Sequence, residues 1–80
     1  MAYFVYILEC SDMTYYTGIT TDLKRRLEEH NNSEKGAKYT KLRRPVTLVY
    51  SEESHDRSSA SKREFEIKKM SRAKKEELIK

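Results

Sequence analysis

Apolar residues cluster in short runs along the chain, and the spacing within each run predicts an element of structure. Residues 2–8 are apolar or aromatic throughout, a run too short for a buried helix and typical of a central strand with two covered faces. Turn-forming residues occupy positions 11–14, and the β-branched and aromatic residues 15–20 then predict a returning strand. The start of the chain therefore predicts a β-hairpin.

A helix and a third strand are predicted to follow the hairpin. Thr21 or Asp22 offers an N-cap, and apolar positions then recur with helical spacing until the polar residues 31–33 end the helix. Beyond Pro45, residues 46–50 are strongly apolar and β-branched, which predicts the third strand.

Two helices complete the predicted order. The serine pair 58–59 offers the cap of a helix that runs through Met70, and Ser71 restarts the chain as a final helix over residues 72–79. The order β-β-α-β-α-α is typical of an α+β fold, in which helices flank a three-stranded antiparallel sheet. A chain of 80 residues has room for one hydrophobic core, so we expect one domain over residues 1–80.

Composition excludes several classes of protein. With only Gly18 and Gly36, which are 18 residues apart, neither a glycine-rich nucleotide loop nor the nucleophile elbow of serine hydrolases can be formed. A single cysteine, Cys10, cannot form an internal disulfide, and with two histidines it cannot build a structural zinc site of usual spacing. The N-terminus lacks a basic leader, and no apolar run approaches the ~20 residues of a membrane span. We therefore expect a cytoplasmic protein without a membrane partner.

The positive charge is concentrated in two blocks. Residues 34–44 and residues 56–80 each carry a net charge of +4, which equals the net charge of the whole chain. The first block also contains Tyr39, and a cationic loop with an aromatic side chain is a suitable contact for phosphates and bases. Nucleic acid is the expected partner, although a lysine-rich solvated surface is an alternative explanation for a charge of this size.

Two polar side chains of the first predicted helix lie on its apolar face. Arg26 and His30 share that face with Leu23 and Leu27 at helical spacing. The structural alternatives stay open: Arg26 can lay its stem along apolar surface and pair with Asp22, and His30 can stabilise the helix C-terminus.

A carboxylate is predicted on the packing face of the second long helix. Glu64 shares one side of that helix with Ala60 and Ile67. Burying an unpaired carboxylate is costly, so Glu64 requires a cation, either a metal ion or a basic side chain such as Lys68 at i+4.

Taken in order, these residues resemble the GIY-YIG nuclease family. Tyr6 and Tyr16 lie where the family has the tyrosines of its two signatures, ten residues apart, and Gly18 ends the second signature. The Gly and Ile of the first signature are replaced by Phe4 and Val5, and the Ile of the second by Thr17. The remaining matches are an arginine eight residues after Gly18, a histidine four residues further and a glutamate in a later helix, here Arg26, His30 and Glu64.

The resemblance implies a metal-dependent endonuclease that hydrolyses phosphodiester bonds in DNA, branched or damaged DNA included, with a role in DNA repair or recombination. It implies that Glu64 holds one Mg²⁺ or Mn²⁺ ion and that Arg26 donates to the scissile phosphate. Tyr6 and His30 are both candidates for the general base, and the sequence leaves that choice open. The implied catalytic set is Tyr6, Tyr16, Arg26, His30 and Glu64.

A further group of residues is expected to hold the nucleic acid. Gly18 would let the backbone approach a phosphate, and the basic loop would contact the strand. The full expected set is Gly18, Lys35, Lys38, Tyr39 and Arg43. A non-catalytic basic nucleic-acid-binding module is the competing interpretation of the same charges.

Overall fold

A three-stranded antiparallel sheet forms the centre of the structure, as the sequence predicts. The computed structural model describes residues 2–80. Its strands are β1 (Tyr3–Glu9), β2 (Tyr15–Thr20) and β3 (Thr47–Ser54), in the spatial order β2-β1-β3. Because β1 pairs on both sides and is covered on both faces, its central residues 5–8 are all buried.

The two faces of β1 pack against different helices, whose bounds are α1 (Leu23–Asn32), α2 (Lys38–Lys41), α3 (Arg57–Lys69) and α4 (Arg72–Ile79). Val5 and Ile7 pack with Ala60 and Ile67 of α3, and the apolar end of α4 joins this cluster. Side chains alternate along a strand, so the neighbouring Tyr6 and Leu8 point to the opposite face, where the leucines of α1 cover them. The α+β order is thereby confirmed.

The ends of several elements differ from the prediction. Asp22, rather than Thr21, caps α1 by accepting a hydrogen bond from the Arg25 backbone at 3.0 Å. Asp56 caps α3 by accepting from the Ser59 backbone at 2.7 Å, so the predicted serine cap is wrong. An aspartate accepts as well as a serine at this position, and both lie within one turn of each other.

The third strand and the basic loop also differ from the prediction. β3 continues to Ser54 because its backbone pairs with β1 from Thr47 to Ser54, apart from an irregularity at Val49, and an edge strand does not need apolar side chains to do so. The basic loop contains α2, which has four residues and is too short to show helical periodicity.

None of the helices within residues 2–80 combines the length and the apolar character of a membrane-spanning segment.

Candidate active site

Tyr6 and His30 form a buried hydrogen bond between the sheet and α1. Tyr6 Oη lies 2.9 Å from His30 Nε2. Tyr6 pairs with Gly18 across β1 and β2, and a Cβ atom at position 18 would lie 2.5 Å from Tyr6 Oη. Gly18 therefore makes room for the Tyr6 hydroxyl. Its predicted contact with a phosphate stays a prediction.

The hydrogen bonds around His30 fix its tautomer. His30 Nδ1 lies 2.8 Å from Thr40 Oγ1, and the Thr40 hydroxyl donates its single proton to the Ala37 carbonyl at 2.9 Å. Thr40 Oγ1 must then accept from His30 Nδ1, which leaves a lone pair on Nε2. The Tyr6 hydroxyl consequently donates to His30, and the chain of donors runs from Tyr6 through His30 and Thr40 to Ala37.

Both members of the Tyr6–His30 pair are neutral near pH 7. Burial raises the pKa of Tyr6 to about 12; the neighbouring Arg26 guanidinium acts in the opposite direction, and the charge of Glu64 adds to the rise. Burial lowers the pKa of His30 to about 4, and the positive charges of Arg26 and Arg44 lower it further. His30 is thus an uncharged acceptor for the Tyr6 proton.

Arg26 faces the sheet, and Arg25 faces solvent, as the helical spacing predicts. Their side chains are 25% and 60% exposed, respectively. Arg26 Nη1 donates to Glu29 Oε1 at 3.0 Å and to the Lys35 carbonyl at 2.8 Å. The predicted alternative, a pair between Arg26 and Asp22, is therefore wrong: Asp22 caps the helix, and Glu29 at i+3 takes its place.

Glu64 lies on α3, which packs on the other face of the sheet from α1. Its side chain is 24% exposed, and its Oε2 atom lies 3.4 Å from Lys68 Nζ, the pairing that the structural alternative predicts. Its negative charge also contributes to the raised pKa of Tyr6, and Lys68 lines a groove together with Tyr16 and Thr17. Glu64 is therefore half-buried on α3, and it lies close enough to Tyr6 for its charge to act on the phenol.

The donor set fits one weakly held divalent ion. Within residues 2–80 no group of three or more His, Cys, Asp or Glu side chains is arranged to hold a metal. Mg²⁺ commonly keeps several waters and takes only one or two carboxylates, with substrate phosphate oxygens completing its shell. A single half-buried carboxylate at Glu64 fits an ion of this kind and does not fit a preformed cage of several protein ligands.

Aromatic rings surround the Tyr6–His30 pair. The Tyr16 ring centre lies 5.1 Å from that of His30 and 6.5 Å from that of Tyr6. Tyr39 stacks on Tyr16 with ring centres 6.1 Å apart, and Arg43 Cζ lies 3.9 Å from the centre of the Tyr39 ring. The fold thus brings Tyr39 and Arg43 from the basic loop next to the implied catalytic tyrosines.

Two arginines of the basic loop form hydrogen bonds within the protein. Arg43 donates to Asp12 at 3.0 Å and to the Tyr39 carbonyl at 2.9 Å. Arg44 donates to the carbonyls of His30 and Ser33, both at 2.6 Å, and so closes the C-terminus of α1. Arg44 therefore belongs to the scaffold, although the charge pattern grouped it with the nucleic-acid contacts.

The two lysines expected to hold nucleic acid lie at the surface. Lys35 and Lys38 are both exposed. The Lys35 backbone carbonyl supports Arg26 at 2.8 Å, so this part of the loop lies beside the Tyr6–His30 pair.

The sequence prediction missed Thr40 and the reason for Gly36. A Cβ atom at position 36 would lie 2.5 Å from the Glu29 carbonyl and 2.9 Å from His30 Cα. Gly36 therefore lets the loop lie directly on α1, which brings Thr40 within reach of His30. The available signal was a glycine and a β-branched residue inside an otherwise charged loop.

Comparison with known proteins places the chain among similar sequences over nearly its whole length. A family model described as the GIY-YIG catalytic domain matches residues 2–77. A UPF0213 protein of Desulfotalea psychrophila is 60% identical over 79 residues, which cover 99% of this chain and 72% of that protein. A UPF0213 protein of Staphylococcus aureus is 54% identical over 79 residues, covering 99% and 95% of the two chains.

Solved structures give the same result for the fold. The solution NMR structure of a UPF0213 protein from Bacillus halodurans is 48% identical, has a TM-score of 0.62, and matches over 99% of this chain and 83% of its own. The solution NMR structure of a protein from E. faecalis is 46% identical, has a TM-score of 0.67, and matches over 96% and 81%.

Proposed function

The chain belongs to the GIY-YIG family, and we propose that it is a divalent-metal-dependent endonuclease that hydrolyses phosphodiester bonds in DNA. We further propose that residues 1–80 form one nuclease domain that acts in the cytoplasm, in DNA repair or recombination. The observation that carries the proposal is the Tyr6 hydroxyl directed at His30 Nε2, in a place that Arg26 and Glu64 also approach.

Tyr6 and His30 are proposed to act in series as the general base. A phenol with a pKa of about 12 does not ionise near pH 7 by losing its proton to solvent. Its proton can pass to His30 Nε2 at 2.9 Å while the Tyr6 oxygen takes one from the attacking water. In this arrangement Tyr6 touches the nucleophile and His30 stores the proton.

Substrate binding is proposed to make His30 a better base. In the free protein, burial and then the charge of Arg26 lower the pKa of His30 to about 4. A phosphodiester beside Arg26 adds a negative charge that offsets that guanidinium. The proton affinity of His30 therefore rises when substrate is present.

Arg26 is proposed to donate to the scissile phosphate. Its hydrogen bonds to Glu29 and to the Lys35 carbonyl are both made by Nη1, and the guanidinium also lies within hydrogen-bonding reach of the Tyr6 hydroxyl. A planar guanidinium held in this way beside Tyr6 can present its remaining N–H groups to phosphate oxygens. Lysine has no comparable fork.

Glu64 is proposed to hold the single Mg²⁺ or Mn²⁺ ion, which when bound neutralises phosphoryl charge and stabilises the leaving oxygen. Lys68 compensates the Glu64 carboxylate at 3.4 Å, and its side chain is 53% exposed, so it can turn away into water. Tyr16 would orient the substrate beside His30, while the basic loop holds the strand through Lys35, Lys38, Tyr39 and Arg43.

The test is a nicking assay with a matched pair of glutamates. Glu64 is half-buried, whereas Glu66 on the same helix is 63% exposed. With Mg²⁺ or Mn²⁺, the wild type and Glu66→Gln should nick plasmid or branched DNA, and Glu64→Gln should bind DNA without nicking it. Inert wild-type protein on plasmid, branched and single-stranded DNA, with salt-sensitive binding retained, would favour the non-catalytic binding module instead.

A further inference from the structure

A groove of about 220 Å³ lies beside the proposed active site. We infer that this groove binds one unpaired nucleotide of a DNA strand, with the base against tyrosine rings and the flanking phosphates on two lysines. The inference rests on the proposed function for the identity of the polymer and goes beyond it by making an unpaired segment part of the substrate. The lining residues are Tyr15, Tyr16, Thr17, Tyr39, Lys68 and Lys75.

The aromatic lining selects for a base that has left the stack. Three tyrosines from two elements, Tyr15 and Tyr16 of β2 and Tyr39 of α2, contribute to the groove. Bases in a duplex present only their edges in the grooves, because their faces are covered by neighbouring pairs. Stacking on protein aromatics therefore requires an unpaired base, and it tolerates any sequence.

The size of the groove agrees with a single nucleotide. One water occupies about 30 Å³ in the liquid, so a volume of about 220 Å³ corresponds to roughly seven waters. That space suits a ring system with part of its sugar.

The charge of the groove selects an anionic ligand. Of its described lining residues two are lysines and none is acidic. Lys68 lies 3.4 Å from Glu64, so a phosphate bound at Lys68 would be adjacent to the proposed metal ligand. Because the lysines are compact charges on flexible stems, they suit phosphate contacts that do not read sequence.

Helix α4 is fixed in a way that places Lys75 in the groove. Arg72 Nη1 donates to the Met13 carbonyl at 2.6 Å, and Arg72 Cζ lies 4.6 Å from the centre of the Tyr15 ring. The start of α4 is thereby held against the turn between β1 and β2. Lys75 then lines the groove, while its neighbour Lys74 is exposed and does not.

Lys74 and Lys75 provide a matched pair for the test. Fluorescence anisotropy is measured in EDTA with a blunt DNA duplex and with the same duplex carrying an oligothymidine tail. The wild type should prefer the tailed duplex. Lys75→Ala should show a preference several-fold smaller than that of the wild type. The slope of log affinity against log salt concentration, measured with the tailed duplex, should become shallower by about 0.7. Lys74→Ala removes the same charge and should keep the wild-type preference.

A second variant tests the aromatic part of the groove. Tyr39→Leu should lower the preference for the tail several-fold, because it removes one of the three rings that line the groove and the ring that stacks on Tyr16. Circular dichroism checks that the variant is folded. If it is not, the comparison of Lys75→Ala with Lys74→Ala tests the inference by itself.

Two results would overturn the inference. One is a wild type without preference for the tail, and the other is a Lys75→Ala variant whose losses are equal on blunt and tailed DNA. Since these measurements contain no metal, a failure to nick plasmid counts only against the proposed endonuclease. A protein that nicks plasmid but shows no tail preference keeps the endonuclease proposal and loses this one.

Discussion

Thr40 Oγ1 accepts a hydrogen bond from His30 Nδ1 at 2.8 Å, and this contact decides which nitrogen of His30 faces Tyr6 with a lone pair. Thr40 is fully buried, and its hydroxyl donates its own proton to the Ala37 carbonyl. A residue of the loop thus controls the proton-accepting end of a residue in α1. Thr40 touches no reacting atom and acts as a positioning residue.

Replacing Thr40 with valine should leave His30 without a fixed tautomer, so that the proton can reside on either ring nitrogen. The variant keeps the shape and removes the acceptor, so a buried Nδ1–H loses its partner at a cost of about 1–3 kcal/mol in the free energy of unfolding. Nitrogen-15 NMR of the ring should report a mixture of tautomers, with nicking reduced in parallel. Thr40→Ser restores the hydroxyl and should restore the wild-type spectrum. An unchanged spectrum in Thr40→Val would contradict the assignment.

Gly18→Ala should displace the Tyr6 hydroxyl. The new methyl group would lie 2.5 Å from Tyr6 Oη and 2.7 Å from Cζ, so the phenol must move away from His30. Overpacking of this kind costs about 1–3 kcal/mol of stability, and loss of the general base lowers nicking by about 10²-fold or more.

A double-mutant cycle measures the contact between these two residues. Gly18→Ala introduced into Tyr6→Phe still meets the ring carbon Cζ but no hydroxyl, so urea unfolding should show a smaller loss of stability than in the wild type. Equal losses in both backgrounds would mean that the Tyr6 hydroxyl is not what Gly18 accommodates.

Much of the fold follows from local patterns. The run at residues 2–8 predicts β1 because burial on both faces leaves no polar position, and the spacing of Leu23 and Leu27 predicts α1. The end of β3 does not follow, because edge pairing depends on the partner strand rather than on its own side chains. The cap of α3 at Asp56 lay within one turn of the predicted serines.

The site was predictable only where its residues lie on periodic elements. Arg26 and Glu64 are polar residues on packing faces, and that conflict is visible in the sequence. Thr40 and Arg44 lie in a loop without periodicity, and their roles depend on how the loop lies against α1. Contacts between residues that are far apart in the sequence, such as these between the loop and α1, are determined by the tertiary fold.

Arg44 and Lys38 should separate stability from DNA binding. Arg44 holds two carbonyls at the end of α1, so Arg44→Ala should lower the free energy of unfolding by about 1–3 kcal/mol. Lys38 is exposed, so Lys38→Ala should leave stability unchanged and lower the slope of affinity against salt by about 1. Chemical denaturation and anisotropy at several salt concentrations measure the two effects. A loss of stability in Lys38→Ala, with unchanged stability in Arg44→Ala, would contradict both roles.

His30 should make the folded state sensitive to acid. Burial, with Arg26 and then Arg44 adding to it, lowers the pKa of His30 from 6.5 to about 4. Between these values the unfolded chain binds a proton that the folded protein does not, so stability falls as the pH drops from 6.5 towards 4 and is unaffected by His30 above that window. The full loss amounts to about 3 kcal/mol.

The measurement is urea unfolding across that window for the wild type, His30→Gln and His55→Gln. Carboxylates with lowered pKa values, Asp12 and Glu29 among them, also lose stabilising charge in acid and affect all three proteins alike. The difference between the wild type and His30→Gln isolates the histidine. Because His55 is exposed and solvent screens its contact with Asp56, His55→Gln should stay close to the wild type. Parallel curves for the wild type and His30→Gln would mean that the folded protein binds a proton at His30 as readily as the unfolded chain does, so the buried Nε2 lone pair that accepts from Tyr6 would not be protected from protonation.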